Sequence, residues 1–301
     1  MCHSALSVIF GLVTTLVPLT ANAQLMVSRN VIPVTDSGNP GFLSRLQFYG
    51  DAQRGFGSTD DELAWNVKLG GVIELYRSRA RWSLVGVVGH ELTANPFNSI
   101  GFNPRGAIWE EQLLFTQRMH AYDWFVGAFH RCRHEIDNSH PPDESAPPPF
   151  YVPTMRLLSL TGLQIGVVSR ERSLGAFTWR GLLRLERYAT TTDNRTPRNT
   201  AAPYWKRALG ASAAGVRVAR PWGPGQVYAR GWGSLMYFSR GPGATGVSAE
   251  PTWRMELGTR AIGAAASLDL FAAYERTFDD VTRPTPQPSS VWGFGIRFGT
   301  Q

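Results

Sequence analysis

Three side chains that can move protons or attack electrophiles stand at alternate positions near the middle of the chain: His130, Cys132 and His134. A thiol becomes a nucleophile when a neighbouring base takes its proton. On an extended strand, an imidazole two residues away lies on the same face as the thiol. His130 is therefore the natural base for Cys132, and such a base needs a third group to orient it. A two-residue loop at His120-Ala121 would pair Met119 with Tyr122, and so Glu111 with His130. Glu111, His130 and Cys132 are then a candidate orienter, base and nucleophile. His134, Asp137, Arg133 and His90 are candidate rim or substrate-binding groups around them. A register slip of one residue would carry Glu111 to the other face of its strand.

The element that carries these groups runs from Ala121 to Asp137. Its alternate residues Tyr122, Trp124, Val126, Ala128, His130, Cys132 and His134 form one face, apolar until the last three. The other face holds Asp123, Phe125, Gly127, Phe129, Arg131 and Arg133. Alternation of this kind describes a strand between two different surroundings. A glutamate in the apolar stripe Trp109, Glu111, Leu113, Phe115 is costly unless a group such as His130 partners it.

Twelve alternating segments of about this length follow one another: 42–54, 63–76, 82–92, 107–118, 122–134, 157–169, 174–188, 206–219, 226–238, 253–262, 268–278 and 291–299. Connections near 78, 120, 171, 222 and 264 are short. Those at 55–62, 93–106, 138–155, 189–204, 240–251 and 279–290 are longer and rich in Pro, Gly, Asn and Asp. This alternation of loop length is that of a membrane barrel, with short periplasmic turns and longer outer loops. A soluble sandwich would show short strands without it. The inward set includes Arg45, Asp51, Lys68, Glu74, Asp123, Arg131, Arg180, Arg184, Glu186, Arg254, Glu256, Arg260, Asp269, Glu275 and Arg297. Their mixed signs suggest a cross-braced interior more than a pore selective for one sign of charge.

Composition agrees with this reading. The 301 residues are 43% hydrophobic, with 31 Gly and 10 Trp. Past the N-terminus no apolar run is long enough for a spanning helix. Residues 1–23 read as a secretory signal peptide, with an apolar core from Leu6 to Leu19 and Ala21-Asn22-Ala23 ahead of Gln24. Residues 24–40 then form a periplasmic lead-in and 41–301 the barrel. Removal of the signal takes Cys2 with it and leaves Cys132 without a disulfide partner. The formal charge of +7 is carried almost wholly by arginine. Without a basic cluster interleaved with aromatics, that excess fits a polar lumen or anionic headgroups better than nucleic acid.

His130 and His134 would grip zinc together on a helix, but on a strand they stand roughly 13 Å apart at about 3.4 Å per residue. No metal ligand set is assigned, and the cofactor is left unknown. A looser cation site from His134, Asp137, Asp143 and Glu144 with His90 is one alternative. Another is that all these groups simply sit among headgroup phosphates. The proline-rich stretch 138–155 follows the candidate residues directly and is expected to be stiff and extended.

A His-x-Ser pair on the lipid-facing side of a strand, near the outer leaflet, is the mark of the outer-membrane phospholipase A family. The pair His130-x-Cys132 resembles it, with cysteine in place of serine, and is similar also to that of outer-membrane lipid A deacylases. The resemblance implies a twelve-stranded barrel that hydrolyses acyl esters of membrane lipids. His130-x-Cys132-x-His134 also resembles an H-x-S-x-H strand end in a class of bacterial barrels, which implies no activity. The last segment, ending Phe298-Gly-Thr-Gln, resembles the aromatic-terminated final strand of bacterial outer-membrane proteins.

The expectation is an all-β, 12-stranded antiparallel transmembrane β-barrel in the bacterial outer membrane. Barrel-assembly machinery is expected to insert it. Its partners are membrane lipids or lipopolysaccharide, and not nucleic acid. Its expected function is hydrolysis of lipid acyl esters at the outer rim by a Cys-His pair. The alternative is a non-enzymatic structural barrel or narrow pore.

Overall fold

The computed structural model describes residues 40–58, 61–79, 81–136, 157–193, 204–240, 245–278 and 288–300. Residues 1–39, where a signal peptide and lead-in are expected, lie outside the described residues, as do Asp137 and the proline-rich stretch 138–155. In chain order the strands are β1 (Gly41–Phe56), β2 (Trp65–Arg77), β3 (Trp82–Asn95), β4 (Asn103–Arg118), β5 (Tyr122–Glu135) and β6 (Leu157–Ser169). They continue as β7 (Arg172–Leu174), β8 (Phe177–Asp193), β9 (Ala208–Trp222), β10 (Gly225–Ser239), β11 (Val247–Ile262), β12 (Ala266–Phe278) and β13 (Pro288–Thr300). Neighbours in sequence are antiparallel neighbours in the sheet, and β1 pairs with β13. β6 pairs with β8 directly, so the ring closes through twelve strands and β7 is a short arm beside the start of β8.

The expected segment 174–188 differs in its start. The chain reverses at Gly175-Ala176, where Leu174 pairs with Phe177, and Gly175 takes φ +60°. Gly223, with φ +55°, opens the loop between Trp222 and Gly225 in the same way. A two-residue hairpin loop needs positive φ at its first central position, which glycine supplies without strain. A reversal that short leaves no gap in the alternating pattern, so a period-two reading runs straight through it.

Parity decides the two faces. Outward residues such as Leu163, Ile165, Leu183, Leu185, Leu257, Leu270 and Phe294 are exposed and apolar. Inward residues alternate with them and are buried whether apolar or charged. One part of the interior is a cluster of Phe129, Leu158, Leu160, Tyr188, Met236 and Phe238, and a second holds Val72, Val87, Leu114, Phe125 and Leu182. Arg131, almost fully buried, lies between strands with its guanidinium on Glu110 and Glu186. Near the short turns, Glu74 takes Arg77 and Arg118 together with the hydroxyls of Ser44 and Ser83.

The seam between the first and last strands is braced by charge. Glu91, Lys68, Asp51, Arg297, Asp269 and Arg260 stand directly opposite one another across six strands, alternating in sign. Lys68 meets Glu91 at 3.1 Å, Arg297 meets Asp51 at 3.4 Å and Asp269 at 3.5 Å, and Arg260 meets Asp269 at 2.7 Å. Opposite charges at facing positions stabilise a given register, and a one-residue shift would turn every one of them outward. Beside this row, Glu256 accepts from Arg230, Arg254 and Arg297. Its side chain is fully buried.

Glu256→Gln would leave three guanidinium groups around a neutral amide. Removing one member of a buried charge network costs about 3 kcal/mol or more, so guanidinium-induced unfolding in micelles should shift to lower denaturant. A loss under about 0.5 kcal/mol, the range of an ordinary surface change, would mean that the network does not brace the barrel.

A candidate active site on the outward face of β5

β5 begins at a tight turn, where the Met119 backbone N–H donates to Tyr122 O at 3.0 Å, and ends at the long-loop rim. The expected register is the observed one: Glu111 faces His130, Trp109 faces Cys132 and Ala107 faces His134. On the other side, Thr161 of β6 faces His130 and Ser159 faces Cys132. His90 of β3 continues the cysteine row through Trp109, its ring centroid 4.3 Å from the indole. Two polar rows thus cross the otherwise apolar outward surface of β3 to β6: His90, Trp109, Cys132 and Ser159 in one, and Glu111, His130 and Thr161 in the other.

The hydrogen bonds connect these groups differently from the expected triad. Cys132 Sγ lies 3.2 Å from His134 Nε2. The imidazole that reaches the sulfur is therefore the one on the loop side, not His130. The His130 ring is engaged through Nδ1 with Thr161 Oγ1 at 2.8 Å, on β6 rather than on β4. Glu111 is exposed and faces His130 in register without being its hydrogen-bond partner. Both histidines share a face with Cys132 and are equally far along the strand, so side-chain torsion and neighbouring strands decide which one bonds it. Cys132 keeps only 9% of its surface, although it faces outward, because strand neighbours flank it on both sides.

The other expected rim groups divide. His90 is outward, against Trp109, while Arg133 is buried on the inward side of the wall. Arg133 follows the parity of Arg131 and is not presented at the lipid-facing rim. Sequence reasoning missed Thr161 and Ser159. Their signal was present: two hydroxyls at alternate positions immediately before the apolar outward residues Leu163, Ile165 and Val167. Among the described residues, no group of three or more His, Cys, Asp and Glu side chains is arranged to hold a metal ion. Asp137, Asp143 and Glu144 lie outside them.

Chemically, an imidazole nitrogen against a thiol is a proton acceptor for a nucleophile. The second imidazole, fixed by a threonine hydroxyl through one nitrogen, has its ring orientation set and its other nitrogen aimed elsewhere. The surroundings are apolar, which strengthens each of these contacts relative to water.

No protein-family model matches the chain, and no curated protein matches it. Solved structures do match, and all of those named here are barrels. Outer membrane phospholipase A from Escherichia coli aligns with TM-score 0.43 and 12% identity, over 85% of this chain and 93% of that one. The β domain of the Bordetella autotransporter BrkA gives 0.45 and 13%, over 87% and 99%. The Pseudomonas putida toluene transporter TodX gives 0.38 and 8%, over 84% and 89%. By its own strand pairing the chain is a closed, twelve-stranded antiparallel β-barrel. The likeness is one of fold, shared among proteins of different activity.

If His134 takes the thiol proton, it also sets the rate of thiol alkylation. Iodoacetamide should modify Cys132 in micelles, and His134→Ala should slow this by about tenfold. His130→Ala should change it little. Equal rates in all three proteins, followed by mass spectrometry, would show that the contact does not activate the sulfur.

Proposed function

We propose that this barrel sits in the bacterial outer membrane, with its short turns periplasmic and its long loops outside, and hydrolyses acyl esters of membrane lipids at the outer rim. The observation that carries this reading is the 3.2 Å contact of Cys132 Sγ with His134 Nε2 on an outward, apolar strand face. A nucleophile so placed meets acyl chains and headgroup esters, not water-soluble substrates. Phospholipid or lipopolysaccharide is the substrate class, and barrel-assembly machinery is the expected route into the membrane.

In the proposed reaction His134 Nε2 accepts the proton of the Cys132 thiol, and the thiolate attacks the ester carbonyl carbon. The carbon–oxygen bond to the alcohol breaks, and the imidazolium returns the proton to the departing oxygen. A thioester remains on Cys132. Water, deprotonated by the same imidazole, attacks that carbonyl and expels the thiolate, releasing the fatty acid. His130, fixed by Thr161, is a positioning residue for the polar row beneath. Ser159, facing Cys132 in register, offers a hydroxyl donor to the oxygen of the ester.

The second reading is a non-enzymatic structural barrel. It draws on the filled interior, where Arg131 and Glu256 are among the groups that cross the lumen. The same filling counts against a narrow pore. The experiment is fatty-acid release from phospholipid or lipid A by the purified barrel in micelles. Cys132→Ala should abolish turnover, a fall of about three orders or more, and His134→Ala should lower kcat more than KM. Undiminished release by Cys132→Ala would remove the proposal, and an inert wild-type protein that binds lipid would favour the structural reading.

A further inference from the structure

The connection between β3 and β4 at the long-loop end, residues 96–102, is shaped by one side chain. Asn98 Oδ1 accepts from the backbone N–H of Ile100 at 3.2 Å and of Phe102 at 3.0 Å, and Asn98 Nδ2 donates to Phe102 O at 2.7 Å. The Gly101 N–H donates to Asn98 O at 3.1 Å, and Gly101 takes φ +68°, which glycine adopts without strain. An asparagine that bonds the backbone two and four residues on gives a short loop a defined shape.

This loop lies on the outward side of the wall. Trp65 of β2 is outward by parity, and its indole Nε1 donates to Gly101 O at 3.0 Å. Phe102 meets the same indole edge-on, with ring centroids 6.3 Å apart. Arg54 of β1, the register partner of Trp65, stacks its guanidinium over that indole at 4.7 Å. Ala94, outward and opposite Trp65, has no exposed surface, whereas Val88 on the same face of β3 keeps 48%. The chain therefore turns back over the outward wall and not across the mouth of the lumen.

Held there, the loop shows its two largest apolar side chains to the surroundings, Phe97 at 65% exposed and Ile100 at 78%. Apolar groups fixed in the open are unfavourable in water and mark a surface that something apolar covers. The pair is continuous, through Trp65 and Arg54, with Phe56 and Trp292, exposed apolar residues of the outward wall. Arg54 adds a cation at the level of that rim, where lipid phosphates lie.

We propose that the β3–β4 loop is an interfacial anchor, with Phe97 and Ile100 inserted into the lipid leaflet at the long-loop end and Arg54 among its headgroups. The partner is the leaflet itself, because the exposed pair extends the surface that lipid already covers. The anchor rests on the membrane placement proposed above but not on the chemistry of Cys132. The loop leads into β4, where Ala107 stands opposite His134, so the lipid it engages borders the outward polar rows.

The test places a nitroxide at Ile100→Cys in the whole barrel carrying Cys2→Ser and Cys132→Ser, reconstituted in phosphatidylcholine–phosphatidylglycerol vesicles. Collision rates with oxygen, which partitions into lipid, and with a water-soluble nickel chelate give the depth of the label. It should lie about 5–10 Å below the headgroup boundary. A second label at Leu257→Cys, on the outward face of β11, reports the placement of the wall. Phe97→Asp should move the label at 100 toward the chelate and leave that at 257 where it is. If Ile100→Cys does not fold, Phe97→Cys carries the label and Ile100→Asp the charge. A label at 257 open to the chelate overturns the membrane placement and the anchor with it. A label at 257 in lipid with one at 100 in water, or equal depth at 100 with and without Phe97→Asp, overturns the anchor alone.

Discussion

Closure of the sheet is the constraint on which everything else depends. With β1 paired to β13 and β6 to β8, no strand of the ring is left without neighbours on both sides. An open edge could not persist in hydrocarbon, because each unpaired backbone group there costs several kcal/mol. Once the ring is closed, every side chain is assigned by parity to an outside or an inside. The inside of so small a ring must be filled by the chain's own residues. The arginine–carboxylate networks are that filling, and they also fix the register that parity needs.

The two faces therefore impose opposite rules on the same residue types. Inside, charge is tolerated where it is paired, as with Arg131 between Glu110 and Glu186. Outside, a polar group has only its strand neighbours to satisfy it. Cys132 with His134, and His130 with Thr161, are polar groups of the outward surface that meet this condition by bonding each other. Elsewhere the outward surface at the same end is aromatic, as in the contacts of Trp253 with Tyr274 and Tyr274 with Trp292. Ser212 with Tyr237 is another outward polar pair, so the β3–β6 patch is set apart by its thiol and imidazoles and not by polarity alone.

The exceptions to charge alternation inside the lumen are informative for the same reason. The row from Glu91 to Arg260 shows how densely facing charges can be matched when the sequence supplies both signs. The row Arg180, Arg217, Arg230 lies on the same kind of surface but offers one sign only. Their carboxylates come from other positions: Glu256 accepts from Arg230, and Asp123 and Glu171 lie within electrostatic reach of Arg180.

Sequence alone determined the ring, the order of its strands and the two faces of β5. Period-two alternation is a local property, and tight turns transmit register from one strand to the next, so Glu111 opposite His130 could be counted from His120-Ala121. The start of β8 was hidden because the hairpin at Gly175-Ala176 does not interrupt the alternation. Tertiary structure alone decided that His134 meets the sulfur and that His130 turns to Thr161. Two imidazoles equidistant from one thiol are distinguished only by rotamer and by the strand packed alongside. That strand, β6, returns to β5 across a long connection whose length does not fix which of its residues arrives opposite.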